Sequence, residues 1–178
     1  MKVLIAVASR HGSTVEVATR IERVLIEAGM TTVVATPELI TNLAGYDAVI
    51  LGSAVYGGRW LASAKDFVSR NLSGLIERPV WIFSSGPIGG QPANDEEALD
   101  VASARTDTRA REHRVFAGRL ERSRLGLAER AIVRVVRAPD GDFRPWEEIT
   151  AWAHSIAIAL ETPLVPAVAT ATPAAVRA

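Results

Sequence analysis

Cysteine is absent from the 178 residues. That removes disulfides, thiolate metal sites and cysteine nucleophiles together. Lysine is scarce too, with only Lys2 and Lys65 beside eighteen arginines. No sign of charge dominates, since twenty basic and twenty acidic side chains cancel. No long-range field therefore collects nucleic acid or an anionic membrane surface. The first apolar run begins at residue 2 and is far too short to cross a bilayer, and no signal peptide is expected before it. A cytoplasmic protein without a transmembrane segment is the expectation. Two phosphate fingerprints are missing as well. There is no G-x-x-x-x-G-K-[ST], so the chain is not a P-loop nucleotidase, and no G-x-G-x-x-G follows the first apolar run. Nothing pairs His113 with His154 into a metal site; both are placed in helical stretches far apart in sequence.

What is present fits one soluble α/β domain: 48% hydrophobic residues, 22% charged, and a length short for two domains. Val3 to Ala8 is a continuous aliphatic run, as in a strand covered on both faces. Val17, Ala18, Ile21, Val24, Leu25 and Ala28 then form a helical stripe, and Gly29 marks its stop. "TTVVAT" (31–36) is more polar and suits a sheet edge, and "DAVILGS" (47–53) is a second buried strand. Leu61, Ala64, Val68, Leu72 and Leu75 repeat at helical spacing with Phe67 beside them, and "PVWIFSS" (79–85) is a third buried strand. Beyond it the signal weakens. A polar helix is expected from Glu96 to about Glu112, a short strand at "RVFAG" (114–118), a helical stripe from Ala128 to Val136 and a loop at "APDGD" (138–142). Trp146, Ile149, Trp152, Ala153, Ile156 and Leu160 make a last amphipathic helix. Residues 1–161 thus read as one domain. The Pro- and Ala-rich tail of residues 162–178 is expected to be disordered, or an arm draped on a neighbour, which leaves a homodimer open.

Strands and helices alternate, which predicts a doubly wound parallel sheet with helices on both faces. Ligands of such sheets bind beyond the carboxyl ends of the strands, where the winding reverses. Three strands here end in small, hydroxyl or Gly-rich loops: "ASRHGST", "GSAVYGG" and "SSGPIGG". The first admits two readings. "STVE" fits a capping box, with Ser13 at the N-cap and Glu16 reaching back. Alternatively the helix N-terminus, the Ser13 and Thr14 hydroxyls and the close approach allowed by Gly12 hold a phosphate. The turn alone favours the cap.

The run "VLIAVASRHGSTVEVATRI" resembles the first strand, phosphate loop and first helix of flavodoxins, which bind FMN. It is closest to the [ST]-[KR]-x-G-[SQ]-T pattern of flavodoxin-domain proteins related to menaquinone-dependent protoporphyrinogen oxidase. "YDAVILGSAVYGGRWLASAKDFV", "VFAGRL" and "GDFRPWEEITAWAHSIA" resemble that group's second flavin loop, last strand and last helix. The resemblance implies a five-stranded flavodoxin-like sheet. It implies that Ser9, Arg10, His11, Gly12, Ser13 and Thr14 wrap the FMN phosphate. Ala54, Val55, Tyr56, Gly57 and Gly58 would line one side of the flavin ring, and Ser85, Gly86, Pro87, Ile88 and Gly89 the other. With three compatible loops at one edge, the phosphate reading overtakes the cap.

Tyr56 is the candidate to stack on the flavin, since its aromatic face suits the ring's apolar body. Trp60 fits the rim and the helix core equally. Arg10 fits a phosphate partner or an exposed flank, and His11 is expected to face solvent. The third loop has no aromatic residue, which suggests a ring face open to a substrate or quinone. Residues 105 to 144 hold eleven arginines and six acidic residues, expected to be a solvated surface or else a docking surface for an acidic partner. The function implied by the resemblance is an FMN-dependent oxidoreductase with a small-molecule or quinone redox partner, in which no side chain is catalytic. Two alternatives stay open: an electron carrier, and an interaction domain that has lost FMN. Glu16, one turn from the phosphate, favours the last.

Overall fold

A computed structural model describes residues 1–56, 58–86, 100–121, 123, 126 and 140–162. Five parallel strands form the central sheet: β1 (Lys2–Ala8), β2 (Thr31–Ala35), β3 (Ala48–Tyr56), β5 (Val80–Ser85) and β6 (Glu112–Phe116), in the order β2-β1-β3-β5-β6. A two-residue strand, β4 (Arg59–Trp60), folds back antiparallel on the end of β3. Four α-helices are described: α1 (Ser13–Glu27), α2 (Ala62–Ile76), α3 (Val101–Thr108) and α4 (Trp146–Glu161). A separate two-stranded ribbon pairs β7 (Arg119–Leu120) with β8 (Gly141–Asp142).

The winding is double, as the alternation requires. Val3, Ile5 and Val7 of β1 point to one face, with Ile50, Trp81 and Phe83, and are covered by α1 and α4. Leu4, Ala6 and Ala8 point to the other, with Val49, Leu51 and Ile82, and are covered by α2 and α3. Period-two alternation thus feeds two cores, which is why the central strands read as unbroken apolar runs. The polar strand β2 lies at the edge and pairs only with β1. Gly29 ends α1 as expected: at φ +81°, it lets the Gly29 and Met30 N–H groups donate to the Ile26 and Leu25 carbonyls.

Several expectations need correction. β3 runs three residues past Ser53, because the hairpin with β4 continues its ladder to Tyr56. The polar helix expected through Glu112 ends at Thr108, where Arg109 adopts φ +53° and turns the chain. Glu112 then begins β6, so His113 lies on a strand and not in a helix. Leu72 is 38% exposed, and Asn71 takes the buried place on α2, its amide donating to the Phe67 carbonyl. The loop expected at 138–142 supplies β8, a strand too short to leave a periodic signal. The stripe from Ala128 to Val136 lies outside the described residues, as does the tail from residue 163.

Candidate functional site

β1, β3 and β5 lie side by side and end at the same edge, where Ala8 pairs with Ser53 and Ala54 with Ser85. The sheet therefore brings the three loops together. In the first, the Ser9 hydroxyl accepts the Gly12 N–H at 3.1 Å and closes the turn. Gly12 takes φ +84°, with open space where a Cβ would stand. It is the N-cap of α1, and the first intrahelical bond runs from the Glu16 N–H to its carbonyl. The N–H groups of Ser13, Thr14 and Val15 precede that bond and face outward from the helix start.

The expected capping box is absent. Ser13 is the first helical residue, not the cap, and no side chain caps the helix. The Ser13 hydroxyl oxygen is buried and has no hydrogen-bond partner. Such a group costs about 1–3 kcal/mol unless something bonds it. Thr14 beside it is 2% exposed. A buried hydroxyl left unbonded beside outward N–H groups, with a positive helix end, suits an anion such as the FMN phosphate.

The second loop meets the first at Tyr56. The Arg10 guanidinium lies 4.7 Å from the Tyr56 ring centroid, and the His11 ring meets it edge-on at 6.3 Å. His11 is half-buried, not the solvent-facing residue expected from sequence. Ala54 is buried, Val55 partly so, and Gly58 takes φ +74° in the turn into β4. Trp60 settles in the core at 3% exposure, its Nε1 donating to the Ser84 hydroxyl at 2.9 Å. That hydroxyl also bonds His113 Nε2 at 2.9 Å, linking three elements. Ser53 Oγ accepts the Leu61 N–H at 3.1 Å and fixes the entry to α2.

The third loop begins against the second. Ser85 is buried, and the Gly86 N–H donates to the Phe116 carbonyl. A Cβ on Gly86 would lie 2.9 Å from Val55 Cβ and 3.1 Å from its carbonyl oxygen. Only glycine lets these loops come so close. Gly57, Pro87, Ile88 and Gly89 lie outside the described residues. The other twelve predicted site residues fall on the ends of β3 and β5, in the turns at this edge or at the start of α1.

Two functional-site neighbours escaped the sequence reading. Arg144 has only 2% of its side chain exposed. Its Nε and Nη2 fork onto the Asp142 carboxylate at 2.7 and 2.6 Å. Its Nη1 reaches Glu16 at 2.8 Å and the Ser13 carbonyl at 3.2 Å. Arg119 meets the other Glu16 oxygen at 2.9 Å. The box does not form because the N-cap is Gly12, which has no side chain, and Glu16, the fourth helical residue, binds two arginines instead. Burial works against the charge on Arg144, but the bonds to Asp142 and Glu16 outweigh it and raise its pKa above the usual arginine value. The Arg144 hydrogen bond holds the Asp142 carboxyl below the ordinary aspartate value. Two of the arginines expected on a solvated or docking surface thus serve the interior. Among the described residues, no cluster of His, Asp and Glu could hold a metal, and no helix is long and apolar enough to cross a membrane.

Comparison with known proteins agrees with this geometry. The "Flavodoxin domain" family model matches residues 4–144. The chain is 22% identical to "Protoporphyrinogen IX dehydrogenase [quinone]" of Escherichia coli (strain K12), across 92% of this chain and 98% of that protein. A solved flavodoxin from the domain Archaea superposes with a TM-score of 0.64 at 14% identity, covering 91% of this chain and 100% of that one. Oxidised Flavodoxin 2 from Bacillus cereus superposes at 0.59 and 24% identity, over 91% and 100%. At these identities the structures share the fold. With its doubly wound five-stranded sheet and its model match over most of its length, the chain belongs to the flavodoxin-domain family.

Proposed function

We propose that the protein is an FMN-dependent oxidoreductase that passes electrons from a reduced small-molecule substrate to a quinone-like acceptor. One observation carries the reading: the buried, unbonded Ser13 hydroxyl at the open N-terminus of α1, where three strand ends meet. The name of the Escherichia coli relative, a quinone-dependent dehydrogenase, supports the acceptor class. FMN, when bound, supplies reversible electron transfer.

The chain's own groups bind and orient. Ser9, Arg10, His11, Gly12, Ser13 and Thr14 hold the phosphate. Ala54, Val55, Tyr56, Gly57 and Gly58 flank one side of the ring, and Ser85, Gly86, Pro87, Ile88 and Gly89 the other. The aromatic-free third loop leaves one ring face open to a second molecule, and no side chain is assigned a catalytic part. Glu16, the residue that favoured a domain that has lost FMN, is bound by Arg119 and Arg144 at the ribbon.

Titration of the purified protein tests this. FMN should bind at least ~10-fold more tightly than riboflavin, since one charge-assisted bond contributes about 1.5–3 kcal/mol. Thr14→Ala should weaken FMN and leave riboflavin nearly unchanged. A protein that binds neither flavin would sink the reading in favour of an interaction domain. The reduced, FMN-loaded protein should then reduce a soluble quinone quickly. Sluggish quinone reduction beside fast transfer to a one-electron protein acceptor would mark a carrier instead.

A further inference from the structure

The phosphate end of α1 is fastened to the β7–β8 ribbon by charge. Arg119 leaves from β7, Asp142 ends β8, and Arg144 follows two residues later. Arg144 places one fork on Asp142 and its remaining nitrogen on both Glu16 and the Ser13 carbonyl. Its plane also lies 4.3 Å from the Trp146 ring centroid at the start of α4. Four donor contacts in fixed directions and a flat stacking face suit a guanidinium and no other side chain. The residue gripped at its carbonyl, Ser13, is the one whose hydroxyl is buried and unbonded.

Resting on the FMN reading above, we propose that Arg144 is a positioning residue for the phosphate. It fixes the first turn of α1 through the Ser13 carbonyl and, with Arg119, holds the Glu16 carboxylate at the ribbon. Arg144 touches no ligand in this role. It acts by holding Ser13 and the Glu16 carboxylate in place, so removing it affects phosphate recognition more than contact with the ring.

The variants Arg144→Gln, Arg144→Lys and Arg119→Met separate this from a merely structural role. Dissociation constants for FMN and riboflavin are measured by flavin fluorescence, beside thermal melts of the flavin-free proteins. Arg144→Gln should weaken FMN about tenfold and riboflavin less than twofold, so the FMN preference collapses. Arg144→Lys should not restore it, because an ammonium cannot serve Asp142 and the Ser13 carbonyl together. Arg119→Met should shift the preference the same way by a smaller factor, and its side chain is 21% exposed, so it carries the test if Arg144→Gln fails to fold. The phosphorus resonance of bound FMN should move in the variants, which a loss of global stability alone would not cause. Equal weakening of both flavins, an unchanged preference, or full rescue by lysine would overturn the proposal. A wild-type protein without any FMN preference would overturn the FMN reading as well. A wild-type preference retained in every variant would overturn this inference alone.

Discussion

One methyl group added at Gly52 should destabilise the fold measurably. Gly52 sits in the middle of β3, paired with Phe83 of β5. An ideal Cβ there would lie 2.1 Å from Phe83 Cζ and 2.3 Å from Cε1. Carbon atoms in ordinary contact stand about 3.5–4.0 Å apart, so the ring has to move by more than ~1 Å. It has little room: Phe83 is 0% exposed, with the Trp152 ring centroid 6.0 Å away and the Phe116 centroid 6.1 Å. Overpacking of this kind costs about 1–3 kcal/mol. Replacing glycine returns about 0.4–1 kcal/mol by restricting the unfolded chain. The clash is severe enough to put the first figure at its upper end, which leaves a net loss of about 2 kcal/mol. In a chain of this length that lowers the melting temperature by about 4–8 °C. Urea denaturation of Gly52→Ala, Phe83→Leu and the double variant reads the effect directly. The leucine vacates ring volume, so the two losses should be non-additive by about 1 kcal/mol or more. A Gly52→Ala protein as stable as wild type, or strictly additive losses, would refute the reasoning.

Ser84→Ala should cost about 1–3 kcal/mol in the same assay, because it strands the buried Trp60 indole N–H and removes the His113 contact; wild-type stability would contradict that chain. Acid should act on Asp142, whose folded pKa lies below its ordinary 3.8 through the Arg144 hydrogen bond. A depressed carboxylate stabilises the fold fully above its unfolded pKa and loses that contribution as pH falls through the folded one. The gap in melting temperature between wild type and Asp142→Asn should therefore be constant above about pH 5 and narrow below pH 4; a gap unchanged down to pH 2 would reject the coupling.

The sheet was legible because its signals are local and dense. Four-to-six-residue apolar runs at Val3, Ala48 and Val80 have no competing reading once helices alternate with them. The last helix was legible for the same reason, with Ile149, Trp152, Ala153, Ile156 and Leu160 all buried as the stripe required. What failed was short or half-exposed. β7 and β8 are two residues each and cannot show a period of two. β6 carries Glu112, His113 and Arg114 at the edge opposite β2, so its polarity mimicked the end of a helix. Trp60 was undecidable from sequence, since only the distant Ser84 makes its indole N–H tolerable in the core.

The site divides along the same line. The strand-to-helix turn at Gly12 and Ser13 was legible because it follows a strand and opens a helix, a relation contained within a few positions. The partners of Glu16 were not legible because they are Arg119 and Arg144, 103 and 128 positions away. Alone, an acid in the first turn stabilises a helix and repels an anion bound at its tip. With two guanidiniums on it, the same carboxylate anchors the helix start to the ribbon, and those arginines also bind Asp142 and Glu121. The net charge of zero conceals this, because it counts charges without placing them. For a flavodoxin-like chain, then, what an acidic residue one turn into α1 does to an anion there depends on every charge the ribbon brings to it, acids as well as arginines.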